Sequence, residues 1–110
     1  MAREPNDLLH GTLDALILKT LSWGPTHGYG ISRAIEHRTK NALTIEDAAL
    51  YKALRRLEAK GAIAAEWGVS ESSRRARYYS LTPLGRQMLR AEVMTWKRYA
   101  AAVASVLETA

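Results

Sequence analysis

Apolar residues recur at helical spacing in four stretches of the chain, and this pattern predicts four amphipathic helices. In the first stretch, residues 8–22, they lie three and four positions apart. A narrower stripe covers residues 29–38. A third helix, near residues 50–60, should follow Glu46 and Asp47, whose negative charge favours a helix N-terminus, and should end at Gly61.

Two β-strands are predicted between the third and fourth helices. Residues 63–67 and 77–81 have the composition of strands, and the polar residues between them would form a wing-like hairpin. A short β-prone stretch also covers residues 43–45, and residues 23–26 should form the turn that ends the first helix. Three helices followed by a hairpin predict a mainly α fold with a small β-hairpin, the winged helix-turn-helix.

The fourth helix should begin at Thr82 and Pro83 and run to about residue 107. About 25 residues span about 37 Å, which is longer than the preceding domain can easily cover. Apolar steps of four and three are typical of a coiled-coil seam, so we predict a homodimer. Residues 1–82 would form the DNA-binding part and residues 83–110 the dimerisation helix of one integrated domain. The seam residues are Leu89, Val93, Trp96, Ala100, Val103 and Leu107.

The outward face of the third helix is small and basic. Ala48 and Ala49 would let the backbone approach DNA bases closely, while Lys52 and Arg55 are long donors suited to phosphates or guanine. Tyr51 could either pack its ring at the edge of the helix or offer its hydroxyl to a phosphate. A basic helix face is by itself usually just solvated. The candidate DNA contacts on this helix are Ala48, Ala49, Tyr51, Lys52, Arg55 and Arg56.

The composition of the predicted wing favours DNA binding over a merely solvated basic surface. Arg74, Arg75 and Arg77 cluster in a loop beside Ser72 and Ser73, a composition suited to phosphate contacts. The reading helix and the wing together therefore predict binding to double-stranded DNA. The two-fold symmetry of a dimer predicts a pseudo-palindromic operator.

Composition sets the broad class of the chain. Its 110 residues are 47% hydrophobic and 25% charged, as in a globular domain, and the net charge of +5 suits a polyanionic partner. The chain has no cysteine, which excludes disulfides and thiolate zinc sites. The first residues lack the apolar stretch of a secretory signal, and no run of 18 apolar residues occurs, so we expect a cytoplasmic protein without a membrane partner.

Catalytic and metal sites are not expected. His10, His27 and His37 fall on different predicted elements and lack the spacing of paired metal ligands. The sequence has no Gly-rich phosphate loop and no serine that the pattern brings together with histidine and carboxylate partners. We therefore predict neither an enzyme nor a cofactor.

Two aromatic residues leave alternatives open. Trp96 could simply pack in the seam, or it could leave a crevice beside Ala100 and Ala101 in which a small planar aromatic effector stacks. Tyr29 is expected to pack between the first two helices, with a phosphate contact as the alternative.

Four segments of the chain, residues 13–18, 24–29, 50–58 and 77–85, together resemble the PadR family of transcriptional regulators. The similarity is to its short members, which have a single C-terminal helix. The resemblance implies a bacterial repressor that dimerises through its first and last helices and is released by a small molecule or other signal. Relatives commonly have Gly-Ser at the positions of Ala48 and Ala49 and proline at that of Lys52, so the operator should differ from theirs.

Two other functions remain open from the sequence. The chain could be a winged-helix module that binds a protein partner, with a basic surface that merely keeps it soluble. It could also be a dimeric small-molecule sensor without sequence-specific DNA binding. Retention on DNA as salt is raised tests the first alternative, and quenching of tryptophan emission by planar aromatics tests the second.

Overall fold

The computed structural model describes residues 12–110, and its elements follow the predicted order with one additional strand. The predicted start of the first helix, before residue 12, lies outside the described residues. The elements are α1 (Leu13–Leu21), β1 (Thr26–His27), α2 (Gly28–Arg38), α3 (Asp47–Ala59), β2 (Ile63–Val69), β3 (Arg75–Leu81) and α4 (Pro83–Leu107).

Helices α1, α2 and α3 each bury an apolar stripe in one hydrophobic core, which also includes the base of the hairpin. The predicted stripe of α3 is confirmed, because Leu50, Leu54 and Leu57 are fully buried together with Ile17 of α1 and Ile31 of α2. Full burial of an aliphatic side chain of this size contributes about 1.5–3 kcal/mol. The core therefore fixes the outward face of α3 relative to the hairpin.

Helix α3 ends in a Schellman motif at Gly61, as the sequence predicts. The N–H of Gly61 donates to the carbonyl of Glu58, and the N–H of Ala62 donates to that of Leu57, both at 3.0 Å. Gly61 has φ +78°, a conformation in which a Cβ would be strained. The motif turns the chain directly from α3 into β2.

The third strand is not where the sequence predicts it. Residues 43–45 form no strand, because side chains at the end of α2 bind their backbone N–H groups instead. The N–H of Leu43 donates to the hydroxyl of Thr39, the residue after α2, and the N–H of Ile45 donates to the carboxylate of Glu36. The extra strand is β1, within and just after the predicted turn. It pairs antiparallel with β3, giving the sheet order β1-β3-β2, with Thr26 opposite Tyr79.

The hairpin β2–β3 is two residues longer on each side than predicted. Pairing continues through Gly68 and Ala76 to Val69 and Arg75, which leaves residues 70–74 as the connection. A Cβ on Gly68 would lie 3.0 Å from the Tyr78 ring, so glycine lets this ring pack closely against the strand backbone. As a consequence Arg75 lies on a strand and not in the connection, which corrects the sequence prediction, while Arg77 lies on the strand predicted from residue 77 onward and not in the loop with Arg74.

Helix α4 begins where the sequence predicts and is anchored at its first turn. The Thr82 hydroxyl accepts from the N–H of Gly85 at 3.0 Å and lies 2.6 Å from the carbonyl oxygen of Gly61, to which it donates. Gly85 is buried, and a Cβ there would lie 2.0 Å from the Ala62 carbonyl oxygen. Glycine therefore lets the start of α4 pack directly on the junction between α3 and β2.

Candidate nucleic-acid interface

The outward face of α3 contains four of the six residues predicted to contact DNA. Ala48, Lys52 and Arg55 are exposed along this face, and Tyr51 is exposed beside them. Lys52 and Arg55 belong to neither of the two ion pairs that join side chains in residues 12–110. Their charges are thus free to attract an anion.

The other two predicted residues of α3 are placed differently. Ala49 is half-buried and packs against the hydrophobic core. The Arg56 guanidinium donates to the carboxylate of Asp14 on α1, so it joins two helices of the core. This pairing could not be predicted from local spacing, because Asp14 precedes Arg56 by 42 residues.

Tyr51 packs its ring against the first turn of α2. A Cβ added at Gly28 would lie 2.7 Å from the Tyr51 hydroxyl oxygen and 2.9 Å from its ring, so a larger residue there would displace the Tyr51 side chain. This contact supports the packing alternative for Tyr51, although the side chain remains partly exposed. Tyr29, one residue further along α2, is exposed, so the expectation that it packs between α1 and α2 is wrong.

The N-terminus of α2 is fixed by a histidine cap. The Nδ1 atom of His27 accepts from the N–H of Gly30 at 2.9 Å, and the His27 ring meets Tyr78 edge-on at 5.3 Å. The cap explains why α2 begins at Gly28, one residue earlier than predicted, because a capping acceptor satisfies an N–H that has no partner within the helix.

Each hairpin arginine has a different environment. Arg74 belongs to the connection and is exposed. The Arg75 guanidinium lies over the Trp67 ring, 4.2 Å from its centroid, as a cation–π contact. Arg77 donates to the Glu58 carboxylate of α3 at 2.7 Å. Arg77 therefore ties the hairpin to the reading helix, whereas Arg74 has no ion-pair partner within residues 12–110.

These elements enclose a groove of about 820 Å³ between α3, the first turn of α2 and the hairpin. It brings together five of the predicted site residues: Tyr51, Arg55, Arg74, Arg75 and Arg77. Sequence reasoning gave no role at such a site to three further aromatic residues of the lining, which are His27, Trp67 and Tyr79. Tyr29 also lines the groove, where its alternative role as a phosphate contact stays a prediction. Trp67 had a usable signal, because it shares a strand face with the buried Ile63 four residues earlier.

Tyr79 is a buried residue at this groove, with only 6% of its surface exposed. Burial raises the pKa of its hydroxyl, and Arg77 partly offsets the effect. The Tyr79 hydroxyl therefore stays protonated near neutral pH. Within residues 12–110 it makes no hydrogen bond. Its neighbour Tyr78 lies on the opposite face of β3 and is only partly buried.

The predicted seam of α4 forms an apolar surface that is left partly uncovered by the rest of residues 12–110. Leu89, Val93 and Ala100 are partly buried, whereas Trp96, Val103 and Leu107 are exposed. Tyr99 and Val106 add further exposed apolar surface next to the seam, which the heptad pattern alone did not identify. Apolar surface of this extent along one helix is typical of an interface.

Among residues 12–110, no three histidine, cysteine or carboxylate side chains come together as metal ligands would. In the same range, no helix is both long and apolar enough to cross a membrane. His10 lies outside the described residues.

Comparison with known proteins identifies the family. The sequence model of the PadR-like transcriptional regulator family matches residues 17–91. The chain belongs to this family. A relative of this PadR-like regulator, protein X of Lysinibacillus sphaericus, is 36% identical over 91 residues, which are 83% of this chain and 84% of that protein.

Solved structures confirm the winged-helix fold of the PadR-like regulator. A transcriptional regulator from Clostridium thermocellum superposes with a TM-score of 0.84 at 31% identity, covering 92% of this chain and 98% of that one. A PadR family regulator from Eggerthella lenta has a TM-score of 0.78 at 32% identity, covering 96% and 89%. The PadR-like protein is therefore a transcriptional regulator and not an enzyme.

Proposed function

We propose that this PadR-like regulator is a cytoplasmic, homodimeric repressor that binds a pseudo-palindromic DNA operator through α3 and the hairpin β2–β3. The observation that carries the proposal is the groove, where Arg55 of α3 lies with Arg74 and Arg75 of the hairpin. Two basic elements that are distant in sequence thus present their charges to one side of the molecule.

Helix α3 suits the major groove, which is about 12 Å wide and admits one helix. The small Ala48 at its first turn would allow close approach, and Lys52 and Arg55 follow along the same face as donors to guanine or phosphate. Ala49 and Arg56 are no longer assigned to base contacts, because both are engaged with the protein itself. Tyr51 would position α3 against α2 and reach a phosphate only through its exposed edge.

The hairpin would contact the sugar–phosphate backbone beside the helix. Guanidinium groups form charge-assisted, often bidentate bonds with phosphate, and Arg74 and Arg75 are available for them. Arg77 already has a carboxylate partner in Glu58, so its role would be to hold the hairpin in position.

A second copy of the chain would cover the apolar surface of α4. A closed dimer pairs the same patch on both subunits, so the two α3 helices are related by a two-fold axis. Operator half-sites should then lie about one helical turn, about 34–36 Å, apart. At this interface Trp96 and Ala100 would also form the place for a small planar effector that relieves repression.

Selection of bound genomic fragments, followed by measurement of affinity for individual duplexes, tests the proposal. We expect enrichment of one pseudo-palindromic sequence and binding of at least about a thousandfold over mixed-sequence DNA, as for specific regulators. Equal and weak binding to every duplex would instead support the winged-helix module that binds a protein partner. A reporter fused to the selected fragment then distinguishes repression from activation.

A further inference from the structure

The groove between α3 and the hairpin contains more aromatic surface than contact with a phosphate strand requires. Trp67, Tyr29 and Tyr51 line it and remain 57%, 66% and 42% exposed. We propose that this groove is a binding site for a free nucleotide, whose base lies on the aromatic side chains and whose phosphate is held by the arginines. Bound nucleotide would exclude DNA, and this last consequence alone rests on the function proposed above.

The aromatic side chains offer surface for a planar base. Every nucleobase has a π-face that stacks on tryptophan or tyrosine without sequence preference. Arg75 already lies over the Trp67 ring. More than half of the Trp67 surface is nevertheless exposed, and Trp67 lines the groove, so part of its indole is accessible there.

The charges of the groove select an anion. Four arginines line it, and Glu71 is the one carboxylate among the lining residues. Arg77 is paired with Glu58, which leaves Arg55, Arg74 and Arg75 without an ion-pair partner in residues 12–110. Arginine is well suited to phosphate, because its planar fork can donate two parallel hydrogen bonds.

Tyr79 provides an independent observation that points to a ligand. Buried hydroxyl groups nearly always have a hydrogen-bond partner. Tyr79 is more than nine-tenths buried and lines the groove, and its hydroxyl has no partner within residues 12–110. Its pKa is raised by burial, so it is a donor at neutral pH. A phosphate or ribose oxygen in the groove would accept this hydrogen bond.

The size of the groove agrees with a nucleotide. Small-molecule sites are commonly about 300–1,000 Å³, and this groove has about 820 Å³. A benzoate-sized anion would use one aromatic side chain and one arginine and leave most of the volume empty. A mononucleotide joins one planar ring to one phosphate, and Trp67 on the hairpin and Arg55 on α3, which both line the groove, offer a contact for each.

The nucleotide site differs from the effector site expected at the α4 seam. Trp67 lies on β2, whereas Trp96 lies on α4 outside the groove lining. Arg55, Arg74 and Arg75 are the residues that we also assign to DNA. One phosphate-bearing ligand must therefore leave before the other binds.

Single-tryptophan proteins test the site directly. Trp23→Phe/Trp96→Phe keeps only Trp67, and Trp23→Phe/Trp67→Phe keeps only Trp96. AMP and GMP should change the emission of the Trp67-only protein saturably and leave the Trp96-only protein unchanged. Adenosine, which lacks the phosphate, should bind at least about tenfold more weakly, because it cannot form the charge-assisted bonds to arginine.

Two substitutions in the Trp67-only protein identify the contacts. Tyr79→Phe retains the ring and Arg55→Ala removes an exposed charge, and each should weaken AMP binding about tenfold. Arg90→Ala, on the exposed side of α4, should leave it unchanged. No saturable response to AMP or GMP up to about 1 mM would overturn the proposal, as would unchanged affinity in both variants with circular dichroism like the parent.

Competition with DNA separates the two proposals. We expect AMP to displace a labelled duplex with a midpoint that follows its affinity measured at Trp67. Nucleotide binding by a protein that binds no duplex would refute the proposed repressor and support the nucleotide site. Duplex binding by a protein that does not respond to nucleotides would refute the nucleotide site alone.

Discussion

The guanidinium of Arg77 on β3 donates to the carboxylate of Glu58 on α3 at 2.7 Å, and this ion pair joins the hairpin to the reading helix. Both side chains are partly exposed, and such pairs contribute only about 0–1 kcal/mol to stability. The main effect of the ion pair is therefore to hold the Arg77 guanidinium against α3, and its contribution to stability is small.

Arg77→Ala should reduce DNA affinity by no more than about fivefold, because its charge is already balanced by Glu58. Glu58→Gln should instead strengthen DNA binding and steepen its salt dependence by up to about 0.9, since it releases a cation beside the groove. Fluorescence anisotropy with a labelled duplex at several salt concentrations measures both. A decrease in affinity for Arg77→Ala as large as that for Arg74 and Arg75 would mean that Arg77 contacts DNA directly.

The double variant Arg74→Ala/Arg75→Ala should bind DNA more weakly at low salt, and its salt slope should fall by about 0.9 for each phosphate that is no longer neutralised. The matched control is Arg90→Ala/Lys97→Ala, which removes the same charge from an exposed part of α4 outside the groove lining. Its slope should stay close to that of the parent. Equal slopes in all three proteins would remove the hairpin from the DNA interface.

A charge in the α4 seam should dissociate the proposed dimer. The parent should sediment at about twice the chain mass of 12.2 kDa, and Val103→Glu should sediment as a monomer, because burying an unpaired carboxylate is costly. Ser105 lies about 200° around the same helix from Val103, so the control variant Ser105→Glu should remain dimeric. A parent protein that is monomeric while it binds its operator would contradict the seam.

Gly85→Ala should destabilise the protein although alanine is the better helix former. A Cβ there would lie 2.0 Å from the backbone carbonyl oxygen of Ala62, and overpacking of this kind costs about 1–3 kcal/mol. Ala91→Gly, at an exposed position of α4, should show the ordinary preference and lower the free energy of unfolding by about 0.5–1 kcal/mol. Urea unfolding measures the stability of both variants. A Gly85→Ala variant more stable than the parent would show that the Ala62 backbone moves readily to accommodate the Cβ.

Local patterns were sufficient to predict much of the fold. The stripe of Leu50, Leu54 and Leu57, the stop at Gly61 and the cap at Thr82 depend only on spacing and on the residue at each helix end. The short strand β1 was not predicted, because a two-residue strand is specified by its pairing partner, here Tyr79, which lies more than 50 residues away. Its own sequence has no periodicity to detect.

The groove was less predictable than the fold for the same reason. Its charges were visible in the sequence, but the partners that neutralise Arg56 and Arg77 lie 42 and 19 residues away. The contact of Trp67 with Arg75 accompanies two strand pairs beyond those predicted, Gly68 with Ala76 and Val69 with Arg75. The types of charged residue in the groove could therefore be predicted from the sequence. Their partners could not, because these depend on the register of the strands and on contacts between distant parts of the chain.

The joint formed by Thr82, Gly85 and Ala62 gives α4 a mechanical role in the proposed dimer. The first turn of α4 is bonded to the point where α3 meets β2. In the proposed dimer, a tilt of the long helix would therefore carry the reading helix with it. Tilting the two α4 helices against each other would change the distance between the two α3 helices. The crossing angle at the dimer axis would thus set which operator spacing the protein can span.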